Sequence, residues 1–199
     1  MDTQTKQAII DNYRNLYLKH GNGPQVAQWS PEGQRFRFGK LLEIGDLKGA
    51  TILDLGCNLG GLYPVLRDKF GHVIYTGIDI VPEIIAAAKC SHPDARFLCL
   101  DVLDEQFDET FDYVLISGMF NNAMPAGSEF LKQMVARAYQ SCTKGIGFNF
   151  TSSRVNFQDV GMQYHDPIEI FRFCLDALTT KVSFHHHYER CDVAVFAYR

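Results

Sequence analysis

Four short apolar runs in the sequence end in residues that can bind a polar ligand. The first run leads into the glycine-rich stretch TILDLGCNLGG (51–61), which carries Asp54. Asp79 ends the second run, Asp101 the third, and Ser117–Gly118 the fourth. Asp79 follows the glycine-rich stretch by about 20 residues, the spacing at which a carboxylate accepts hydrogen bonds from ribose hydroxyls. The pattern therefore predicts a site for a nucleoside-containing ligand.

The position of Asp54 distinguishes between two kinds of nucleotide cofactor. In dinucleotide-binding sites a pyrophosphate lies on the N-terminus of the helix after the glycine-rich turn, and that turn carries no acid. Here Asp54 precedes Gly56 by two residues, and its negative charge would repel a pyrophosphate. The chain also has no G-x-x-x-x-G-K-[ST] phosphate-binding sequence. The pattern favours adenosine joined to an ammonium or sulfonium group, with an NAD-type cofactor as the alternative.

The elements that would carry these residues alternate between strands and helices from residue 50 onward. Apolar runs predict five strands, at 50–56, 72–79, 95–101, 111–118 and 145–151, with helical patterns at 59–70, 81–90 and 126–142. Several of the strands are apolar throughout, as expected when helices cover both faces of a parallel sheet. Strands that alternate with helices indicate right-handed crossovers, and therefore a doubly wound, Rossmann-like α/β fold.

The first and last segments predict elements of other kinds. Apolar residues at helical spacing predict helices at 4–18 and at about 31–44. After a further helix near 166–178, two strands at 181–188 and 192–198 are separated by three residues. Three residues are too few for a crossover helix, so these strands are expected to form an antiparallel hairpin.

The expected architecture is one domain over residues 1–199. A chain of this length can bury a substantial core by itself, and no repeat or linker divides it. Residues 1–46 would form a helical cap over the cofactor site. Residues 47–199 would form the Rossmann-like core: five parallel strands closed by the C-terminal hairpin, with helices on both faces.

At these positions the sequence resembles the class I, Rossmann-like S-adenosylmethionine-dependent methyltransferases. The matching stretches are LDLGCNLGG, GIDIVPEII, FLCLDVLD and FDYVLISGMFN at the ends of the first four predicted strands, together with the C-terminal hairpin. The resemblance covers about residues 29–199. Within the family the chain looks like small bacterial members of unassigned substrate, because of Gln34-x-x-Arg37-Phe38, SGMFN, FNFTSS and YHDPIEIFRFC.

The resemblance implies S-adenosyl-L-methionine as the cofactor and assigns residues to its methionine part. Asp54 would face the ammonium group, directly or through water. The other residues implied at this end are Gly56, Cys57, Asn58, Gly60, Ser117 and Gly118, with Gln34 and Arg37 as candidates for the carboxylate. For Arg37 a solvated helix face is the other interpretation. Asn58 replaces the middle glycine of the family's D-x-G-x-G-x-G, and since Asn tolerates left-handed backbone angles, the turn is expected to be kept.

The resemblance assigns the adenosine part to the next two strand ends. Asp79 would bind the ribose hydroxyls, and Ile80 would pack on the adenine. Asp101 and Val102 would hydrogen-bond to the edge of the adenine.

The residues that face the methyl acceptor are less well determined. Methyl transfer from a sulfonium needs a general base only when the nucleophile must lose a proton during attack. Candidates are expected after the fourth strand, on the N-terminal helix and on the loop 152–165: Phe120, Asn121, Asn122, Tyr13, Tyr17, Tyr164 and His165. His165 is the first candidate for a base, with Asn121 and Tyr17 as further catalytic candidates. Packing is the competing interpretation for the tyrosines, and a turn position is the competing one for His165.

Composition argues against several other classes of protein. A formal net charge of −4 without a run of Lys and Arg argues against nucleic-acid binding. The six cysteines form no C-x-x-C pair, and successive residues of the run His185–His187 would point to opposite faces of a strand, so no metal is expected. No segment approaches the roughly 20 apolar residues that span a bilayer, and the stretch MDTQTKQAII lacks the basic start and apolar centre expected of a secretory signal. A cytoplasmic monomer or homodimer without a membrane partner is expected.

The leading hypothesis is therefore a methyltransferase that acts on a small molecule. The chain has little beyond the core fold, which favours a small acceptor reached under a mobile lid. A macromolecular acceptor, a non-catalytic protein that binds S-adenosylmethionine, and an NAD-type oxidoreductase are the alternatives. The sequence does not select the acceptor, or decide between O-, N-, C- and S-methylation.

Overall fold

One seven-stranded sheet organises the molecule. The computed structural model describes residues 2–186 and 191–199. In this part of the chain the strands are Thr51–Leu55 (β1), Ile74–Asp79 (β2), Arg96–Cys99 (β3), Phe111–Ile116 (β4), Cys142–Thr151 (β5), Val182–His185 (β6) and Asp192–Tyr198 (β7). Their order in the sheet is β3-β2-β1-β4-β5-β7-β6. Strands β1 to β5 are parallel, and β7 is antiparallel to both β5 and β6.

The sheet confirms the predicted Rossmann-like fold with its antiparallel C-terminal pair. Residues 187–190, between β6 and β7, lie outside the described residues, and His187 with them. The sequence did not predict that β7 would lie between β5 and β6.

Helices cover both faces of the sheet. Those in the described residues are Thr3–His20 (α1), Pro31–Leu41 (α2), Leu62–Phe70 (α3), Pro82–Ser91 (α4), Gly127–Gln140 (α5) and Pro167–Ala177 (α6). The predicted helix at 31–44 is α2 followed by a short 3-10 helix, Leu42–Ile44. Local chemistry sets several helix starts: the side chains of Asp2, Ser30 and Asp166 each accept a hydrogen bond from the first turn, as N-cap residues do.

Two apolar layers hold the helices on the sheet. One contains α5 and α6 with side chains such as Leu131 and Ile170, and the other contains α2, α3 and α4 with side chains such as Leu41 and Leu66. Successive residues of β4 divide between the layers, since Val114 belongs to the first and Leu115 to the second. Burying each such aliphatic side chain contributes about 1.5–3 kcal/mol. The continuous apolar character of the strands is therefore explained by helices on both sides.

Strand β1 lies between β2 and β4, so the chain changes direction across the sheet at this point. Ligands of open α/β sheets bind in the crevice that such a reversal leaves beyond the carboxyl ends of the strands. Helix α1 lies over this end of the molecule, although none of its residues is buried. In the part of the chain that the structure describes, no helix combines the length and apolar character needed to cross a membrane.

Candidate functional site

A cavity at the carboxyl ends of β1, β2 and β4 brings together almost all of the residues predicted to bind the cofactor. Helices α1 and α2 cover it from above, and α5 contributes Phe130 and Met134 from the side. The predicted residues that line it are Gln34, Arg37, Asp54, Gly56, Cys57, Asn58, Asp79, Ile80, Asp101, Val102, Ser117 and Gly118.

Asp54 is a buried carboxylate in the floor of this cavity. It lies near the end of β1 with 3% of its surface exposed, and the Tyr75 hydroxyl donates to its Oδ2 at 2.7 Å. Burial raises the pKa of Asp54 to about 7, although the Tyr75 hydrogen bond opposes the rise; the nearby Asp79 carboxylate adds to it. A cation next to Asp54 would favour the ionised carboxylate and so oppose the rise in pKa, and this end of the cavity therefore favours a positively charged ligand.

Asp79 is held by the backbone of the loops on either side of it. The Asn58 amide donates to its Oδ2 at 3.0 Å, and the Val81 amide donates to its Oδ1 at 3.1 Å. Burial raises the pKa of this carboxyl, and the backbone donors partly offset the rise. Each oxygen retains a lone pair for a further donor, so the geometry suits a pair of hydroxyl groups.

The glycine-rich turn has the backbone geometry expected from its sequence. Asn58 adopts φ = 49°, the left-handed conformation predicted for it, and its side-chain oxygen accepts the Leu59 amide at 2.9 Å. Gly56, at φ = 71°, faces Met119, whose Cε would lie 2.7 Å from an added Cβ. A side chain at position 56 would therefore collide with Met119, which lines the cavity.

Gly60 differs from the other predicted residues. It does not line the cavity, and a Cβ there would lie 2.6 Å from Cζ of Phe97. Its positive φ of 76° and this contact let the turn pack against β3. The close approach expected of Gly60 is therefore an approach to Phe97.

Asp101 is already ion-paired by the cap. Lys6 of α1 places its Nζ 2.7 Å from the Asp101 Oδ2, and the Leu103 amide donates to Oδ1 at 3.0 Å. Burial alone would raise the pKa of Asp101, but the Lys6 ammonium and the Leu103 amide reverse this and hold it below its ordinary value. Sequence reasoning missed Lys6, because nothing near position 6 indicates a partner 95 residues away.

Arg37 is buried, and the interpretation of a solvated helix face is wrong. Its Nη2 lies 2.7 Å from the Asp192 Oδ2, and its Nη1 donates to the Gly33 carbonyl at 3.2 Å. The guanidinium carbon also stacks over the Trp29 ring, 3.6 Å from the centroid. Arg37 thus joins α2, β7 and the segment before α2 at the edge of the cavity.

The three catalytic candidates lie away from the cavity lining. His165 is 1% exposed, with Nε2 at 3.0 Å from the Phe120 carbonyl and Nδ1 at 3.3 Å from the Ser128 hydroxyl. Burial lowers its pKa. With both nitrogens engaged inside the protein, His165 joins three segments and does not face a ligand, which corrects the expectation of a base.

Asn121 and Tyr17 do not line the cavity, although residues close to each of them do. Asn121 is buried, and its backbone carbonyl accepts a hydrogen bond from the Gln163 backbone amide at 2.8 Å. Tyr17 packs against the apolar cluster around Val26. The neighbouring Asn122 and the tyrosine one helical turn earlier, Tyr13, line the cavity instead.

Tyr13 and Asn122 form a polar contact between the cap and the loop after β4. The Asn122 Nδ2 donates to the Tyr13 hydroxyl oxygen at 2.8 Å. Removal from water and the charge of Asp79 raise the pKa of Tyr13 to about 12. The phenol therefore stays protonated, and its own proton remains available to a further acceptor.

Neither the histidine run nor the cysteines form a metal centre in residues 2–186 and 191–199. No group of three His, Cys, Asp or Glu side chains in these ranges is arranged to hold an ion. The His185 ring lies against Phe196, with ring centroids 5.3 Å apart.

Comparison with known proteins gives a consistent result. Residues 52–159, more than half of the chain, match the family model described as a methyltransferase domain. A Mycobacterium tuberculosis protein described as a methyltransferase is 28% identical over 147 residues, which cover 69% of this chain and 86% of that protein. The 2-methyl-6-phytyl-1,4-hydroquinone methyltransferase of Synechocystis is 29% identical over 144 residues, 67% of this chain but only 45% of the relative.

A solved structure shares the fold at low sequence identity. Magnesium protoporphyrin IX methyltransferase from Synechocystis, with bound S-adenosylmethionine, superposes with a TM-score of 0.66 at 16% identity. The superposition covers 95% of this chain and 90% of that one.

Proposed function

Since the chain belongs to the methyltransferase-domain family and is an S-adenosylmethionine-dependent enzyme of the class I fold, we propose that it methylates a small-molecule acceptor. S-adenosylhomocysteine is the second product. The observation that carries the small-molecule proposal is the cover over the cavity. Ile9 and Tyr13 of α1, together with Trp29, close over the cofactor residues. An acceptor must therefore fit beneath elements of the chain itself, and a small organic molecule meets this condition more readily than a folded macromolecule.

The residues of the cavity fit the cofactor part by part. At the methionine end we assign Asp54 to the ammonium group, and its raised pKa supports a cationic partner. Gln34 and Arg37 border the same end and supply donors for the carboxylate. Asp79 offers its two oxygens to the ribose hydroxyls. The apolar lining around Ile80, which includes Leu100, Val102 and Met134, suits the flat adenine ring.

The protein's contribution to transfer is alignment and exclusion of water. When bound, the cofactor supplies an electrophilic methyl group on its sulfonium. We assign Tyr13 as the hydrogen-bond donor that orients the acceptor, because Asn122 already donates to its oxygen and its pKa of about 12 keeps the phenol protonated. The described cavity lining includes no histidine. We therefore assign no general base, and we expect an acceptor that is nucleophilic in its prevailing ionisation state.

The relatives are compatible with this proposal. The Synechocystis relative is named for a hydroquinone, a small organic acceptor. The chain spans less than half of that protein and most of the Mycobacterium tuberculosis relative. The name supports the size class of the acceptor and does not transfer the acceptor itself.

An acceptor screen tests the proposal. The full chain is incubated with S-adenosylmethionine and pools of phenols, amines, carboxylic acids and thiols, and S-adenosylhomocysteine is measured. We expect turnover with one chemical class, and a loss of about 10-fold or more in kcat/KM for that acceptor in Tyr13→Phe, the size of effect when one oriented hydrogen bond is lost. Methylation of protein or RNA with no small-molecule turnover would contradict the proposal. So would tight cofactor binding without turnover of any pool, which would indicate a non-catalytic protein.

A further inference from the structure

Trp29 stands directly against Gly118 at the end of β4. Its Nε1 would lie 3.0 Å from a Cβ at position 118, and Cε2 and Cζ2 would lie at 3.5 Å. Both Trp29 and Gly118 line the cavity. Gly118 adopts φ = 72°, so position 118 needs glycine both for its backbone conformation and for the space that the indole occupies.

A buried ion pair holds the indole in this position. The Arg37 guanidinium stacks on the Trp29 ring at 3.6 Å, and Asp192 of β7 fixes the guanidinium at 2.7 Å. Arg37 is 4% exposed and Asp192 1% exposed, so both charges are out of water, and removing either would leave the other charge buried without this ion pair. A planar guanidinium can serve a carboxylate and an aromatic face at once, which an ammonium cannot do equally well.

Gly118 is held independently from the opposite side. Its amide donates to the Asn149 Oδ1 at 2.7 Å, and Asn149 lies on β5 with 1% of its surface exposed. The indole and the backbone that it touches are thus both fixed by buried polar groups. Their contact therefore forms a fixed wall of the cavity.

We propose that Trp29 is a specificity-determining residue that limits the size of the group carried on the sulfonium. In this proposal Arg37 and Asp192 act as positioning residues for the indole. The inference rests on the proposed function in one respect: the Ser117–Gly118 edge is taken to border the methionyl part of the cofactor. The wall at Trp29 then admits a methyl group and excludes larger alkyl groups at that edge.

The first experiment measures binding and needs no acceptor. Calorimetry compares S-adenosylmethionine with the analogue that carries an allyl group in place of the methyl group, and S-adenosylhomocysteine, which lacks the group, serves as the reference ligand. The wild type is expected to bind the allyl analogue at least about 10-fold more weakly than S-adenosylmethionine. Trp29→Ala is expected to reduce this ratio to within about 3-fold while it still binds S-adenosylhomocysteine, and Trp29→Phe should give an intermediate ratio.

The outcomes separate this inference from the proposed function. If the wild type binds neither S-adenosylmethionine nor S-adenosylhomocysteine, the proposed function fails and the assignment of the wall to the sulfonium fails with it. If the wild type binds both but does not discriminate against the allyl analogue, only this inference is overturned. The same holds if Trp29→Ala keeps the wild-type ratio.

The second experiment tests the positioning pair by spectroscopy. Trp29 is the single tryptophan of the chain, so its fluorescence reports on this wall alone. Asp192→Asn and Arg37→Lys should each raise acrylamide quenching of the emission by about 2-fold or more, because the indole is no longer clamped. Glu109→Gln, which breaks the exposed Arg96–Glu109 pair, is the matched control and should leave quenching unchanged. Quenching at the wild-type level in both clamp variants would overturn the positioning role.

Discussion

The floor and the cap of the cavity are built from different interactions. In the floor, Asp54 and Asp79 lie on strand ends, buried and tied by a tyrosine hydroxyl and by backbone amides. In the cap, α1 buries no residue, and its contacts across the cavity are made by side chains. Lys6 pairs with Asp101 at 2.7 Å, and Arg14 pairs with Glu83 at 2.6 Å.

Because of this difference, cofactor affinity and access of the cofactor to the cavity depend on different parts of the molecule. The floor residues stand on β1 and β2, whose backbones are paired in the sheet, so the geometry of the floor persists as long as the fold does. Helix α1 is held by a few ion pairs and by partly buried apolar side chains that pack around Val26, Val81 and Ile84. Partly exposed ion pairs each contribute about 0–1 kcal/mol. Opening α1 should therefore require much less free energy than disturbing the floor. We infer that the floor determines how tightly the cofactor binds and that the cap determines how fast it exchanges.

The largest effect is expected in the floor, at Asp79. Asp79→Ala should weaken S-adenosylhomocysteine binding by at least about 100-fold, because two hydrogen bonds to a charged group are lost and each contributes about 1.5–3 kcal/mol. Calorimetry measures the affinity, and thermal unfolding checks that the variant is folded. Asp104→Ala, which removes an exposed partner of Lys6, is the control at the contact with the cap and should change affinity by less than about 3-fold. Equal effects of the two substitutions would remove the distinction between floor and cap.

A smaller effect, specific to the floor, is expected from the titration of Asp54. In the free protein its pKa is about 7, so below pH 7 an ammonium ligand must displace a proton. Affinity for S-adenosylhomocysteine should rise as pH increases from 6 toward 7.5, by up to about 10-fold. Calorimetry in two buffers of different ionisation enthalpy should detect proton release at pH 6.5. Asp54→Asn should abolish both the pH dependence and the proton release; a wild-type pH profile in this variant would assign the effect to another group.

The same raised pKa gives a prediction for the stability of the free protein. The pKa of Asp54 is raised above its ordinary value of 3.8, so the folded state binds the proton more tightly than the unfolded state does. The stability that this proton provides is present below about pH 4 and is lost as pH rises toward 7. Denaturant unfolding should therefore show Asp54→Asn gaining stability relative to wild type between pH 5 and pH 8. No relative gain would mean that Asp54 is ionised throughout this range.

The smallest equilibrium effect is expected in the cap. Lys6→Gln combined with Arg14→Gln should raise the dissociation rate of S-adenosylhomocysteine several-fold while the free energy of unfolding changes by no more than about 1–2 kcal/mol, the sum of two partly exposed pairs. Stopped-flow fluorescence of Trp29 measures the rate. In the wild type, about 0.5 M salt should reproduce part of the increase by screening. Arg67→Gln breaks the exposed Arg67–Asp94 pair away from the cavity and should leave the rate unchanged.

The floor was predictable from sequence because its chemistry is local to strand ends. Asp54, Asp79 and Asp101 each follow an apolar run, and parallel strands bring their carboxyl ends to one edge. Asn58 could also be understood from sequence, since one residue type and one backbone conformation decide it. The strand order of the C-terminal pair was less accessible, because two hairpin strands can add to β5 in either order.

The cap was less predictable because packing decides which face of α1 meets the cavity and which residues its side chains contact. Helix α1 has no fully buried residue, and Tyr13 and Tyr17 are both partly buried, so the apolar spacing did not show which of the two faces the cavity. The contacts of Lys6 with Asp101 and of Arg37 with Asp192 join residues 95 and 155 positions apart. His165 misled sequence reasoning in another way: its ring nitrogens are used inside the protein, and no sequence pattern reports such internal partners.

The interior position of β7 has a consequence for the order of events during synthesis. β7 follows every other strand in the chain, yet in the sheet it lies between β5 and β6. The edge of β5 beside β7 therefore stays unpaired until residues 192–198 have left the ribosome. A nascent chain that stalls before β7 would expose this edge, a template for aggregation. Protection of the β5 edge should therefore begin only after β7 has been synthesised.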